Sequence, residues 1–204
     1  MKLNMMVITG FAMVTAGCAS VSEQETAGRA LALMKASFNE RGQAKLDRLD
    51  QDDAQRSCSQ PPSVAIPKDA AERIEKANLA AIKYPADGKL MGDWREGEKI
   101  AQSGVGKQYS DDPKRPSGGN CYACHQIARE EIAFGTIGPG LYNFGKLRGT
   151  SVAIQRYTYG KIWNAQAYTA CSNMPRFGHN GILTEQQIKH VTALLLDPNS
   201  PVNK

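Results

Sequence analysis

Long apolar runs are missing from most of this 204-residue chain. Apart from the segment Met5 to Ala16, no stretch approaches the roughly 20 apolar residues that cross a bilayer as a helix. That segment is itself too short to span comfortably. There is no Lys/Arg run and no basic stripe interleaved with aromatics, so the chain lacks a nucleic-acid footprint. The net charge is only +5, a mild excess compatible with an anionic partner. Histidine is scarce, at positions 125, 179 and 190 alone, and beyond residue 125 the one methionine is Met174. No second close Cys/His pair accompanies the one pair of neighbouring cysteines, which argues against a tetrahedral zinc framework.

What is present centres on Cys121-Tyr122-Ala123-Cys124-His125. The pattern C-x-x-C-H is the attachment signature of a c-type haem. Two thiols at this spacing add across the vinyl groups of one porphyrin edge, and the next residue is then held under the ring to offer an imidazole nitrogen to the iron. The competing reading, a thioredoxin-like redox pair, needs a βαβ context; the flanks here are Gly-rich and then helical. One covalent haem c is therefore expected, tethered by Cys121 and Cys124 with His125 as proximal ligand.

Downstream, Gly138-Pro139-Gly140-Leu141 sets a rigid non-helical turn. It resembles the Gly-Pro-x-Leu that follows the haem motif in class I cytochromes c, whose proline carbonyl accepts a hydrogen bond from the proximal imidazole. The resemblance implies the same bond between His125 and Pro139, which would fix the tautomer and raise the basicity of the ligand. The sixth ligand must lie farther along, among Met174, His179 and His190. Met174 precedes Pro175 on a stiffened loop just before the last helix, the usual place for a distal methionine in that class. His179 remains the alternative. His190 falls inside the final helix, where a satisfied or exposed histidine is the simpler reading.

The chain divides into three parts. Residues 1–18 read as an export signal, with Lys2 as the positive start and Thr15-Ala16-Gly17-Cys18 resembling a bacterial lipobox. Cys18 is then either a lipidated first residue or is removed by ordinary cleavage near Ala19 or Ser20. Both routes place the mature protein in the periplasm, membrane-anchored as a lipoprotein in the first case. Residues 19–84 read as a helical extension and Pro-rich linker. A helical pair spans 23 to 56 with a break near Asn39 to Gly42, Pro61, Pro62 and Pro67 punctuate it, and a further helix covers Ala70 to Ile82.

Residues 85–204 form the expected haem domain. Asp93 with Glu96, and Thr184 with Gln187, have capping-box spacing at the starts of its first and last helices. Gln126 to Glu131 can extend the haem motif by a helical turn or two. Two segments from Ser151 to Ala167 carry Tyr157, Tyr159 and Trp163, which either wall the haem or are plain core. Ile188, Val191, Leu194 and Leu195 make the apolar stripe of the final helix, and the small Gly97 lets that helix cross the first closely. The fold class is all-α, a class I cytochrome c-like mono-haem domain with an N-terminal helical extension. Cys58 and Cys171 are left over. An even remainder in an exported protein argues for a disulfide between them, the alternative being two separate thiols.

The flanks carry a narrower resemblance. Gly92-Asp93-Trp94-Arg95-Glu96-Gly97-Glu98-Lys99-Ile100-Ala101, Gly119-Asn120 before the haem motif with Gln126 after it, Gly135-Thr136-Ile137-Gly138-Pro139, and Asn173-Met174-Pro175-Arg176-Phe177-Gly178 together resemble the SoxX family. These are the small c-type cytochrome subunits of the SoxAX complexes of bacterial sulfur oxidation. The resemblance spans roughly residues 85 to 200. It implies a heterodimer with a SoxA-like cytochrome subunit, which would join thiosulfate to a cysteine of a SoxYZ-like carrier protein. This chain would take no catalytic part. It would receive the released electrons through a haem ligated by His125 and Met174 and pass them to a soluble cytochrome c.

Overall fold

The computed structural model describes residues 22–59 and 64–204. The export signal with Cys18, and the Pro61-Pro62 pair, lie outside them. The chain divides into two compact units that meet between Phe38 and Asn39. The first is represented by helix α1, Glu23–Ser37, whose N-terminus is capped by the Ser22 side chain accepting from the Glu25 N–H at 3.2 Å. None of its residues is buried.

The second unit, Asn39–Lys204, is all-α, with no strand among the described residues beyond one isolated bridge between Arg41 and Ala44. It contains α2 (Asp53–Cys58), α3 (Lys68–Ala80), α4 (Trp94–Gln102), α5 (Phe144–Arg148), α6 (Val152–Trp163) and α7 (Glu185–Leu196), linked by loops and short 3-10 turns. Its start at Asn39 is earlier than the domain start at 85 expected from the sequence, and packing supplies the reason. Ile74, Ile82 and Leu90 are buried. Asn164 of the α6 C-terminus donates to Asn78 of α3 at 2.7 Å, and the Tyr159 hydroxyl donates to the Lys83 carbonyl at 3.2 Å. The described residues between 39 and 84 are thus part of the second unit.

Helix α7 is the centre of the body. Thr184 and Gln187 form the expected capping box, with N–H···O distances of 3.2 and 3.0 Å. Eight of its twelve residues are buried, so it is enclosed on nearly all sides instead of showing one apolar stripe. Helix α4 crosses it at Gly97, where a Cβ would collide with the His190 carbonyl oxygen and lie 3.0 Å from the Leu194 Cβ. The α4 cap differs from the expected box. Asp93 Oδ1 accepts from the Arg95 N–H at 2.9 Å, but Glu96 turns to Lys99 at 2.7 Å. The Asp93 N–H is satisfied instead by His190 Nδ1 at 2.8 Å. A tertiary acceptor from α7 has replaced the local one.

Gln126 to Glu131 does not continue a helix; the haem motif is only a 3-10 turn over Cys121–Ala123. The carbonyls that a helix would use are taken by the following loop. Tyr122, Cys124 and Gln126 accept from the N–H groups of Gly135, Gly138 and Leu141 at 2.9, 2.8 and 2.7 Å. The short α5 has no counterpart in the sequence pattern. It is held from outside, by Asn203 Oδ1 accepting from the Gly145 N–H at 2.8 Å while Asn203 Nδ2 donates to the Leu195 carbonyl at 3.1 Å.

Candidate haem site

The 3-10 turn at 121–123 is positioned by α4 and its exit. The Gly119 N–H donates to Ile100 and the Asn120 N–H to Ser103, at 2.8 and 2.9 Å. Asn120 adopts φ +46, a left-handed conformation that Asn tolerates better than most residues. The turn closes with the His125 N–H donating to the Cys121 carbonyl at 2.9 Å. Cys121 and His125 thereby reach the same cleft.

That cleft is walled almost wholly by apolar side chains. Cys121, His125 and Ile127 come from the motif side and Leu141 from the proximal loop. Ile162 comes from α6, Met174, Phe177 and Leu183 from the distal loop, and Val191, Leu194 and Leu195 from α7. Met174 is carried there by the loop between α6 and α7, where its own N–H donates to the Ser172 hydroxyl at 3.3 Å. The cleft draws on five parts of the chain and presents two soft or borderline metal donors, an imidazole and a thioether.

The proximal side fixes its imidazole. His125 Nδ1 lies 2.7 Å from the Pro139 carbonyl oxygen. A carbonyl can only accept, so Nδ1 carries the proton and Nε2 is the nitrogen left for a metal. Gly138 lies flat against the ring, since a Cβ there would collide with His125 Cε1 and Nδ1. The tight turn is therefore also a shelf for the imidazole.

Among the described residues Cys121 and Cys124 are the free cysteines, Cys58 and Cys171 being joined in a disulfide with their Cα atoms 5.3 Å apart. Burial pushes the Cys121 thiol up to about 12. A redox C-x-x-C works through a thiol of lowered pKa, so Cys121 is poorly suited to attack a disulfide. It is well suited to be a tether in an apolar pocket. The donor set fits a covalent haem: the Cys121 thiol, an imidazole with Nδ1 already committed and a thioether share the cleft, and the half-buried Cys124 follows three residues along the motif without lining it.

The two other histidines sit elsewhere. His190 Nδ1 accepts from the Asp93 N–H, which puts the proton on Nε2 and leaves the neutral ring no free lone pair for a metal. His179 borders no part of the cleft; burial, with the Arg176 guanidinium beside it, holds its imidazole below the usual value despite the opposing pull of Asp52. Tyr157, Tyr159 and Trp163 are also absent from the cleft wall. Tyr159 is fully buried, 6.0 Å from Trp163 and 5.7 Å from Tyr84 between ring centroids, and serves the core. Leu183 and Ile127 carry no signal of a site role in the sequence, and Phe177 is marked there only as a flank of Met174. Only their nearness to Met174 and the haem motif could have pointed to them.

An all-α body that gathers a C-x-x-C-H turn, a carbonyl-bonded imidazole and an apolar cleft defines the class of haem c proteins. Comparison with known proteins agrees. The cytochrome c family profile matches residues 96–197. An uncharacterized lipoprotein of Aquifex aeolicus (strain VF5) is 40% identical over 157 residues, covering 76% of this chain and 73% of the relative. The chain belongs to the cytochrome c family, and it is an electron-transfer protein with covalently bound haem c.

Proposed function

We propose that this chain is the mono-haem electron-transfer subunit of a SoxAX-type thiosulfate-oxidising complex. In this reading Cys121 and Cys124 form the two thioether bonds, His125 Nε2 is the proximal ligand, and Met174 is the distal ligand. The observation that carries the ligation is that His125 and Met174 border one apolar cleft while His190 is committed elsewhere. Haem c supplies a one-electron iron couple. The residues decide how that couple behaves. His125 is held to one tautomer by Pro139, and the Met174 thioether favours the reduced metal, raising the potential so that the site accepts electrons. Two protein ligands leave no open position for a substrate, so the sulfur chemistry falls to a partner.

The partner reaction is the coupling of a carrier thiolate with thiosulfate, which forms one S–S bond and releases two electrons. A haem held by Cys121, Cys124, His125 and Met174 would supply a one-electron couple, so this chain would relay the two electrons singly to a soluble cytochrome c. The partner assignment rests on the SoxX-like flanks around the haem motif and Met174. A SoxA-like cytochrome would complete the heterodimer, with a SoxYZ-like carrier protein as the thiol substrate. A periplasmic location, with a lipid anchor at Cys18, is supported by the lipobox-like sequence and by the description of the Aquifex relative as a lipoprotein.

The test is purification from the source cells. A second haem protein should copurify, and the pair should couple thiosulfate to a carrier thiol while this chain alone does not. Purification as a lone monomer that still exchanges electrons with a soluble cytochrome c would instead identify a stand-alone carrier. Turnover by the lone chain would contradict the assignment of sulfur chemistry to the partner.

A further inference from the structure

The segment from Asn39 to Ser59 belongs to the haem-bearing unit, yet none of its residues is among those walling the cleft. Its contacts fall on two loops. At one end Gln43 Nε2 donates to the carbonyls of Gln108 and Asp111 at 2.9 and 3.2 Å, and Arg48 Nη1 donates to that of Lys107 at 2.7 Å. This loop leads into the haem motif. At the other end the segment grips the loop that carries Met174, and it does so twice. Asp52 Oδ2 accepts from Arg176 Nη2 at 2.6 Å, and Cys58 is bonded to Cys171.

The two grips bracket Met174, one before it in sequence and one after. Helix α2 sets their spacing, because Asp52 is its N-cap and Cys58 its last residue. The two Asp52 oxygens divide the work. Oδ1 accepts from the Gln55 N–H at 2.8 Å, and Oδ2 holds the guanidinium. The Arg176 side chain is 8% exposed, so removing its partner would leave a buried charge uncompensated. Cys171 is held at φ +59, a conformation sparse for residues with a Cβ, which persists only where the surroundings over-determine it.

We propose that residues 39–59 form a strap that positions the distal thioether, with Asp52 and Cys58 as positioning residues that keep Met174 on the iron and exogenous ligands off it. The proposal rests on the reading of Met174 as distal ligand. The strap limits how often the distal loop opens. The apparent affinity of a competing ligand scales with that open fraction.

The test is imidazole titration of the ferric holoprotein, with the weak far-red iron(III)–thioether band recorded alongside. The variants are Asp52→Asn, Asp52→Glu, and Cys58→Ala combined with Cys171→Ala. Asp52→Asn and the double cysteine variant should each bind imidazole on the order of tenfold more tightly than wild type, with a weakened band. Asp52→Glu should return both readouts towards wild type. Should the double cysteine variant not fold, the two Asp52 variants carry the test. Wild-type imidazole affinity and an intact band in Asp52→Asn would overturn the strap. A wild-type protein without the band would overturn the ligand assignment, and the strap with it.

Discussion

Replacing Gly97 by alanine tests the helix crossing on which the cleft depends. Two effects oppose each other. Alanine in the middle of α4 gains about 1 kcal/mol of helix propensity over glycine. Against this, the new Cβ would collide with the His190 carbonyl oxygen and lie 3.0 Å from the Leu194 Cβ. Overpacking a close contact costs about 1–3 kcal/mol. The obstacle here is backbone, which cannot rotate aside as a side-chain tip does, so the cost lies at the upper end and outweighs the gain. The net loss is about 1–2 kcal/mol. For a body of this size that lowers Tm by roughly 2–8 °C. Because Val191, Leu194 and Leu195 of α7 wall the cleft, separating the helices also disturbs the haem spectrum. Thermal unfolding of holoprotein, followed by far-UV circular dichroism and by the visible bands, gives both readouts. A Tm at or above wild type would refute the claim that α4 and α7 meet through a glycine-sized gap.

Two further outcomes follow from the same contacts. His190→Ala removes the acceptor of the Asp93 N–H; it should cost about 0.5–1.5 kcal/mol in denaturant unfolding and leave the far-red band untouched, so loss of that band would mean that His190 binds iron. The second outcome concerns acid. Burial pushes the Asp52 carboxyl up, but the Gln55 N–H and the Arg176 guanidinium outweigh it and hold it below its ordinary value of 3.8. Burial holds His179 below its ordinary 6.5. For a lowered folded-state pKa the stabilisation is present above the ordinary value and lost as pH falls through the folded value. The urea midpoint should therefore decline from about pH 6.5 downward, and Asp52→Asn should flatten the most acidic part; a midpoint that rises on acidification would contradict both shifts.

Much of this protein is legible where a residue's role is local. The C-x-x-C-H spacing, the Thr184–Gln187 capping box and the break after α1 depend on neighbours within a few positions. Gly97 is also readable, because a small residue on an otherwise apolar helix face has few other uses. The Cys58–Cys171 bond follows from counting thiols, not from geometry. What stays hidden is non-local. The Asp93 N–H finds His190 across α7 instead of Glu96, and no pattern in α4 announces that. Gln126 to Glu131 is kept out of a helix by carbonyls bonding forward to Gly135, Gly138 and Leu141. The segment from 39 to 84 reads as an extension because its apolar residues are sparse. It joins the body through a disulfide, an ion pair and the Asn78–Asn164 bond, none of which leaves a periodic trace. The α5 helix is short and is capped from outside by Asn203.

The central claim is that His125 and Met174 are the two axial ligands of a single covalent haem. The most direct measurement is the visible spectrum of the ferric protein for wild type, Met174→Ala and His179→Ala, read in the far red. The expected result is a weak thioether band in wild type and in His179→Ala, and none in Met174→Ala, whose reduction potential also falls. A band that survives Met174→Ala, or disappears in His179→Ala, would contradict the claim.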